Sequence, residues 1–398
     1  MTLKQVPIIA TPIKLKDFVR ILQLPFSAKP FRSVFAESLK EFFNCRYVHL
    51  TYSGRSAAYL ILKTFQELKG GDEVIIPAYV CTSIPGAIKK AGLKIKLCDI
   101  SLETFQVDTA LLEKTVSEKT LSIIPAHLFG LACDIEQINS IARARGIFVA
   151  EDFAQSMGTR INHRESGTFS QIGFSSFGRG KNLPTYSGGV VITDDEKLSR
   201  MIGKKIANLA APSFRDKFGI FSRLVIFSLL VNPYIHKAFH KLIVLMKGKD
   251  YAIFDLELLQ YTDFQAGIGD SLLKRFDSYR KMRFQNGIYL YERLKSFNFL
   301  RLPKILPGSK PAFNRFPVLF NEKEMREKTE QRLLKSGIIA CRLYTQPVHG
   351  LYPELWDKKS PDPYPNASFF AQNSLALPTH PLVDDKTLDN IIEVFKKL

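Results

Sequence analysis

Short apolar runs alternate with amphipathic segments through the first half of the chain. Val74, Ile75 and Ile76 form a continuous run closed by Pro77, and comparable runs occupy 94–99, 122–126, 146–151 and 188–193. Unbroken runs of this length predict strands buried on both faces. Between them apolar positions recur every three or four residues. Phe35, Leu39, Phe42 and Phe43 mark one face of a predicted helix over 34–44. The same spacing predicts helices at 83–91, with Pro85 in its first turn, and at 108–116, 134–145 and 195–207. A strand at 47–51 runs into Ser53-Gly54-Arg55-Ser56, a tight turn that opens another helix. Strands alternating with helices predict a three-layer αβα fold around a mostly parallel sheet. In such sheets ligands collect beyond the carboxyl ends of the strands.

The pattern changes after residue 210. Residues 211–250 form an apolar insert rich in Phe, Lys and Arg, interrupted by Asn232-Pro233. A long helix is predicted over 263–294, followed by a small α+β domain: strand 316–320, helix 322–336, strand 338–343 and a closing helix 386–397. The expected organisation is an N-terminal arm (1–34), a large domain (35–262) carrying the insert, and a connecting helix with a small C-terminal domain (263–398).

Composition narrows the classes of function. The 398 residues are 45% hydrophobic and 24% charged, the balance of a globular chain. The net charge of +18 points to an anionic partner. No basic run with interleaved aromatics, helix-turn-helix or metal-ligand spacing is present, so neither nucleic acid nor a metal is expected. Five scattered cysteines and the absence of a signal-peptide pattern suit a cytoplasmic protein. The insert has two readings. One is a helical pair covering the site or a dimer face. The other is an interfacial pair whose Arg223, Lys237, Lys241, Lys247 and Lys249 meet anionic lipid.

Candidate chemistry gathers at predicted strand ends. Lys181 follows the glycine-rich turn 178–180, Asp152 and Gln155 close the 146–151 run, and Ser176 lies five residues before the lysine. A lysine that forms a Schiff base, an aspartate beside the pyridine nitrogen and a phosphate-sized group of Ser and Gly are what pyridoxal phosphate requires.

In these residues the chain resembles the DegT-type sugar aminotransferases, fold-type-I pyridoxal-phosphate enzymes acting on nucleotide-linked keto sugars. The resemblance rests on motifs in the family's order: Ser53-Gly54-Arg55-Ser56-Ala57, the run from Gly71 to Pro77, Pro125-Ala126-His127-Leu128, Glu151-Asp152-Phe153-Ala154-Gln155, residues 174–182, and Leu377-Pro378-Thr379-His380-Pro381. It implies that Lys181 is the Schiff-base lysine and proton carrier, that Asp152 partners the ring nitrogen, and that Gln155 lies near the ring hydroxyl. Ser176, Gly54, Arg55 and Ser56 become phosphate ligands. It also implies glutamate as amino donor, a nucleotide-sugar acceptor and a homodimer. Cys81 occupies the place of the family's ring-stacking aromatic, with Tyr79 two residues earlier as a substitute. Tyr79, His127 and His349 are candidates on the substrate side. The segment Leu258-Leu259-Gln260 and the stretch from Asn208 to Ala210 depart from the family's pattern. Two alternatives remain open: a sugar dehydratase on the same scaffold, whose members replace the lysine with histidine, and a non-catalytic regulatory relative.

Overall fold

The computed structural model describes residues 4–21, 28–239 and 256–398. Seven strands form the central sheet: β1 (Tyr47–Thr51), β2 (Glu73–Pro77), β3 (Lys94–Cys98), β4 (Thr120–Ile123), β5 (Phe148–Asp152), β6 (Ile172–Ser176) and β7 (Gly189–Thr193). Their order is β1-β7-β6-β5-β4-β2-β3. All neighbours run parallel except β7, which is antiparallel to both β1 and β6. The strands are apolar because helices cover both faces. Gly54–Leu68 buries Ala57, Ile61 and Phe65 on the sheet, while Ile135–Arg143 buries Ile138 and Ile141. This is the expected αβα fold.

The C-terminal residues build a second, three-stranded sheet in the order Leu300–Arg301, Phe316–Phe320, Ser374–Leu377. Two expectations are corrected here. The predicted strand 338–343 is not a strand, because its backbone divides between two partners. Ile339 N–H bonds to Val6 of the N-terminal arm, whereas Cys341 pairs with Ala376. Ser374–Leu377 takes the strand position instead. The predicted helix 263–294 is two helices, Asp263–Leu273 and Phe276–Leu294. The break falls at Arg275, whose backbone leaves helical geometry (φ −110°, ψ 2°). Its guanidinium turns onto Asp17 with two bonds of 2.7 Å.

The arm is not confined to one domain. Val6 bridges Ile338 of the small domain, the Pro7 carbonyl accepts from His380 at 2.7 Å, and Thr11 reaches the segment bearing Lys181. A short helix, Leu15–Ile21, and the start of Phe31–Phe43 also fall within the first 34 residues.

The insert contains a helix, Phe214–Leu230, bent by 106° onto Pro233–Phe239. Lys241, Lys247 and Lys249 lie outside the described residues. Among the described residues no single helix is long and apolar enough to cross a membrane.

Candidate active site

One cavity of about 500 Å³ opens at the carboxyl ends of β1, β2, β5 and β6. Gly54, Arg55, Cys81, His127, Asp152, Gln155, Ser176 and Lys181 all line it, so eight of the residues singled out in the sequence converge.

One end of the cavity is made by a helix N-terminus. Ser53 caps Gly54–Leu68 in a reciprocal box: Ser53 Oγ accepts from Ser56 N–H at 3.0 Å, and Ser56 Oγ accepts from Ser53 N–H at 2.8 Å. The box consumes Ser56, which is fully buried and does not line the cavity. The Gly54 and Arg55 backbone is left at the positive end of a 15-residue helix. Two glycines let the chain pack closely at this corner. A Cβ on Gly54 would lie 2.7 Å from Ser176 Cβ, and one on Gly189 would lie 2.6 Å from the Ser53 carbonyl carbon. Ser176 Oγ accepts from Gly178 N–H at 3.1 Å, which fixes the first bend of the lysine loop. Gly180 turns that loop at φ +83°, a left-handed conformation that side chains resist.

Asp152 ends β5, and its carboxylate accepts from Ala154 N–H at 2.9 Å. Burial pushes the Asp152 carboxyl up, opposed by the nearby Lys181 charge. Burial pushes the Lys181 amine down, against the pull of Cys81 and Asp152 and with the help of Arg315. A lysine held below its ordinary range exchanges protons more readily near neutrality.

His127 is held on both ring nitrogens. Nδ1 accepts from Cys133 N–H at 3.1 Å, which leaves Nε2 to donate to Glu151 Oε2 at 3.2 Å. Glu151 also accepts from Gly167 and Ser170 N–H at 2.9 and 2.6 Å. This carboxylate is the neighbour of Asp152 in sequence but faces the opposite side of β5.

Gln155 is likewise fixed. Its Oε1 accepts from Phe129 N–H at 3.0 Å and its Nε2 donates to the Tyr344 hydroxyl at 2.9 Å. Tyr344 belongs to the small domain and was not found from the sequence. Tyr79 is placed beneath it rather than in the cavity: Tyr344 N–H donates to the Tyr79 hydroxyl at 3.1 Å, and the rings are 5.2 Å apart. Cys81 does line the cavity, with its sulfur 3.0 Å from Ser83 Oγ. His349 is fully buried away from it, against Asp362, Ser368, Trp356 and Tyr364.

Other residues missed by sequence reasoning are Arg179, Tyr186 and Glu257 at the cavity wall. Arg179 stacks over the Tyr186 ring at 5.4 Å. Arg315 sits close enough that a Cβ on Gly180 would be 3.5 Å from its Nη2. Its only sequence signal is a cation immediately before the apolar strand Phe316–Phe320.

Known proteins share both this sequence and this architecture. The chain is 26% identical over 347 residues to UDP-N-acetyl-3-dehydro-alpha-D-glucosamine 3-aminotransferase of Acidithiobacillus ferrooxidans, covering 87% of this chain and 82% of that protein. It is 34% identical over 182 residues to GDP-4-keto-6-deoxy-D-mannose 3-dehydratase of Yersinia pseudotuberculosis, covering 44% and 45%. The PLP form of Spr1654 from Streptococcus pneumoniae superposes with a TM-score of 0.79 at 22% identity, over 99% of this chain and 98% of that one. With residues 20–225 and 245–396 matching its pattern, the chain belongs to the DegT/DnrJ/EryC1/StrS aminotransferase family.

Proposed function

We propose that the chain is a pyridoxal 5'-phosphate-dependent aminotransferase that transfers an amino group, with glutamate as donor, to a keto sugar on a nucleotide diphosphate. The observation that carries this reading is the convergence of Lys181, Asp152, Ser176 and the Gly54–Arg55 backbone in one cavity. The residues suit the cofactor. The Gly54 and Arg55 backbone at a helix N-terminus lines the cavity beside Ser176, which suits a phosphate group. Asp152 is a buried carboxylate with one backbone donor, which leaves it able to partner a protonated ring nitrogen.

When bound, pyridoxal phosphate supplies an electron sink for the substrate carbon. The chain does the rest. Gly54, Arg55 and Ser176 would hold the phosphate. Asp152 would keep the ring nitrogen protonated. Lys181 Nζ would anchor the cofactor and serve as the group that moves the proton at the reacting carbon. Gln155 is held in place by Phe129 and Tyr344 at the cavity wall. Arg55 and Arg179 in the lining, with the +18 net charge, favour an anionic acceptor. A homodimer is part of this proposal, as is a cytoplasmic setting, which five free cysteines support.

Purified protein loaded with cofactor should show a visible absorbance band that bleaches with glutamate. A screen of keto nucleotide sugars should then yield a product whose mass has exchanged oxygen for an amine. Lys181→Ala should lose the band and the turnover, and turnover retained in that variant would sink the mechanism. The similarity to a 3-dehydratase motivates the second reading. A product that has lost oxygen without gaining nitrogen would favour it.

A further inference from the structure

The described residues carry twelve exposed large apolar side chains, and nine belong to two neighbouring segments. Seven lie on the bent helical pair: Phe214, Phe218, Phe221, Ile226, Leu229, Tyr234 and Phe239. Leu15 and Val19 lie on the helix Leu15–Ile21. The two segments touch through Phe18 and Phe221, whose rings meet edge to face at 6.3 Å.

An ordinary surface helix needs one apolar stripe, the one it buries. Phe214–Leu230 has two. Ile220 and Leu224 are buried against the body of the protein, and Phe227 packs with the same cluster. Phe214, Phe218 and Leu229 turn the other way and are 81%, 63% and 53% exposed. Phe214 stacks on Phe218 at 6.4 Å, so the outer stripe is a continuous ridge rather than scattered side chains.

The charge on this face is mainly positive. Lys14, Lys16, Arg215, Lys217, Arg223 and Lys237 stand on or beside these helices. Two acidic groups stand among them, and only one is neutralised by a cation. Asp17 is fully buried in its ion pair with Arg275, and Asp216 closes the capping box of Ser213. A second copy meeting this face symmetrically would bring two patches of the same net sign together. An anionic lipid surface instead satisfies both the ridge and the charge. The 106° bend and the 17-residue length of the longer helix suit a pair lying along an interface, since a span needs about 20 apolar residues.

We infer that the Phe214–Leu230 and Pro233–Phe239 pair, with Leu15–Ile21 beside it, docks the protein peripherally on an anionic membrane surface. The longer helix lies near the cavity without lining it. Tyr52, in the cavity lining, lies within electrostatic reach of Asp216 and Arg223.

The test uses full-length protein with vesicles of phosphatidylcholine alone or mixed with phosphatidylglycerol, at low and high salt. Partition should be at least about tenfold higher on the anionic vesicles and weaken as salt rises. The double variant Phe214→Ser/Phe218→Ser should lose that partition. Arg215→Glu/Lys217→Glu should lose about tenfold while keeping the ridge. Both changes lie on exposed positions, and an unchanged thermal transition and cofactor band check that each variant is folded. Absence of co-sedimentation at low salt overturns the inference. So does equal binding to neutral vesicles. A third overturning result is sedimentation showing that the serine variant splits a dimer while the parent protein ignores vesicles, because the occupant is then a second copy. Vesicle binding is read independently of cofactor chemistry, so its failure leaves the aminotransferase reading standing.

Discussion

Arg283 donates to the Thr11 hydroxyl at 3.0 Å, fully buried beneath the segment that bears Lys181. The same guanidinium reaches the Ala10 and Asn314 carbonyls at 3.2 and 3.3 Å. Thr11 Oγ1 donates onward to the Asn182 carbonyl at 3.3 Å. Asn314 Nδ2 donates to the Gly180 carbonyl at 3.1 Å and to Asn182 Oδ1 at 2.8 Å. The residues on both sides of Lys181 are therefore held by the N-terminal arm and by the segment just before the strand Phe316–Phe320. Each partner is buried, so each bond matters most when it is broken on one side only.

Thr11→Val keeps the shape but removes both the acceptor for Arg283 and the donor to the loop. We expect a loss of about 1–3 kcal/mol in stability, read by denaturant unfolding of the apoprotein, together with faster loss of cofactor on dialysis. Unchanged stability and retention in Thr11→Val would show that the arm is only a wrapping.

Gly54→Ala is expected to damage the phosphate corner. Its Cβ would sit 2.7 Å from Ser176 Cβ, and both atoms belong to short side chains that cannot swing aside. Forcing a methyl into such a contact costs about 1–3 kcal/mol. We expect cofactor affinity to fall at least about tenfold, the equivalent of about 1.4 kcal/mol. Gly70, just past the C-terminus of the same helix, meets nothing within 4 Å and supplies the control. Gly70→Ala should bind cofactor as the parent does, and equal effects of the two substitutions would remove the argument.

The part of the cavity proposed to hold the cofactor was legible because it is local in sequence. Ser53-Gly54-Arg55-Ser56, Asp152 and Gln155, and Ser176 to Lys181 each sit at the end of a strand whose apolar run is visible by itself. What the spacing missed depends on contacts across the chain. Tyr344 and Arg315 arrive from the small domain, and nothing near either residue in sequence states which strand end it will face. Ser56 and Tyr79 were placed in the site by position, but hydrogen bonding decided otherwise. The capping box turned Ser56 back on Ser53, and the bond from Tyr344 N–H drew Tyr79 under the cavity wall. The helix break at Arg275 was likewise not legible, and the residue there pairs with Asp17, 258 residues away.

Arg315 and Lys181 give a pH-dependent test. Burial lowers the Lys181 amine from its ordinary value and the Arg315 charge adds to that effect. The neutral amine is the form that captures an aldehyde, so reloading of the apoenzyme should rise with pH through a midpoint below the usual lysine range. Arg315→Met removes a like charge and should move that midpoint upward. The rate of cofactor reloading across pH, followed by absorbance, checks the direction. A midpoint that stays fixed or falls in the variant contradicts the assigned role.

His380 sets an acid limit on stability. Its Nε2 donates to the Pro7 carbonyl at 2.7 Å, its Nδ1 accepts from Leu382 N–H at 3.3 Å, and burial lowers its pKa to about 3. The ring is thus held neutral in the folded chain, whereas in the unfolded chain it gains a proton near its ordinary pKa of about 6.5. Below that value the unfolded state binds more protons, so this group's contribution is complete above pH of about 6.5 and is lost as pH falls toward 3. The loss approaches about 1.4 kcal/mol per pH unit for this single site. His49 and His349 are also held below the ordinary value by burial and act in the same direction. The difference between parent and His380→Asn therefore isolates the residue. Denaturant unfolding between pH 6.5 and 5 should show a shallower slope against pH in the variant, even though its absolute stability is lower. Parallel slopes would mean that His380 does not titrate between the folded and unfolded states.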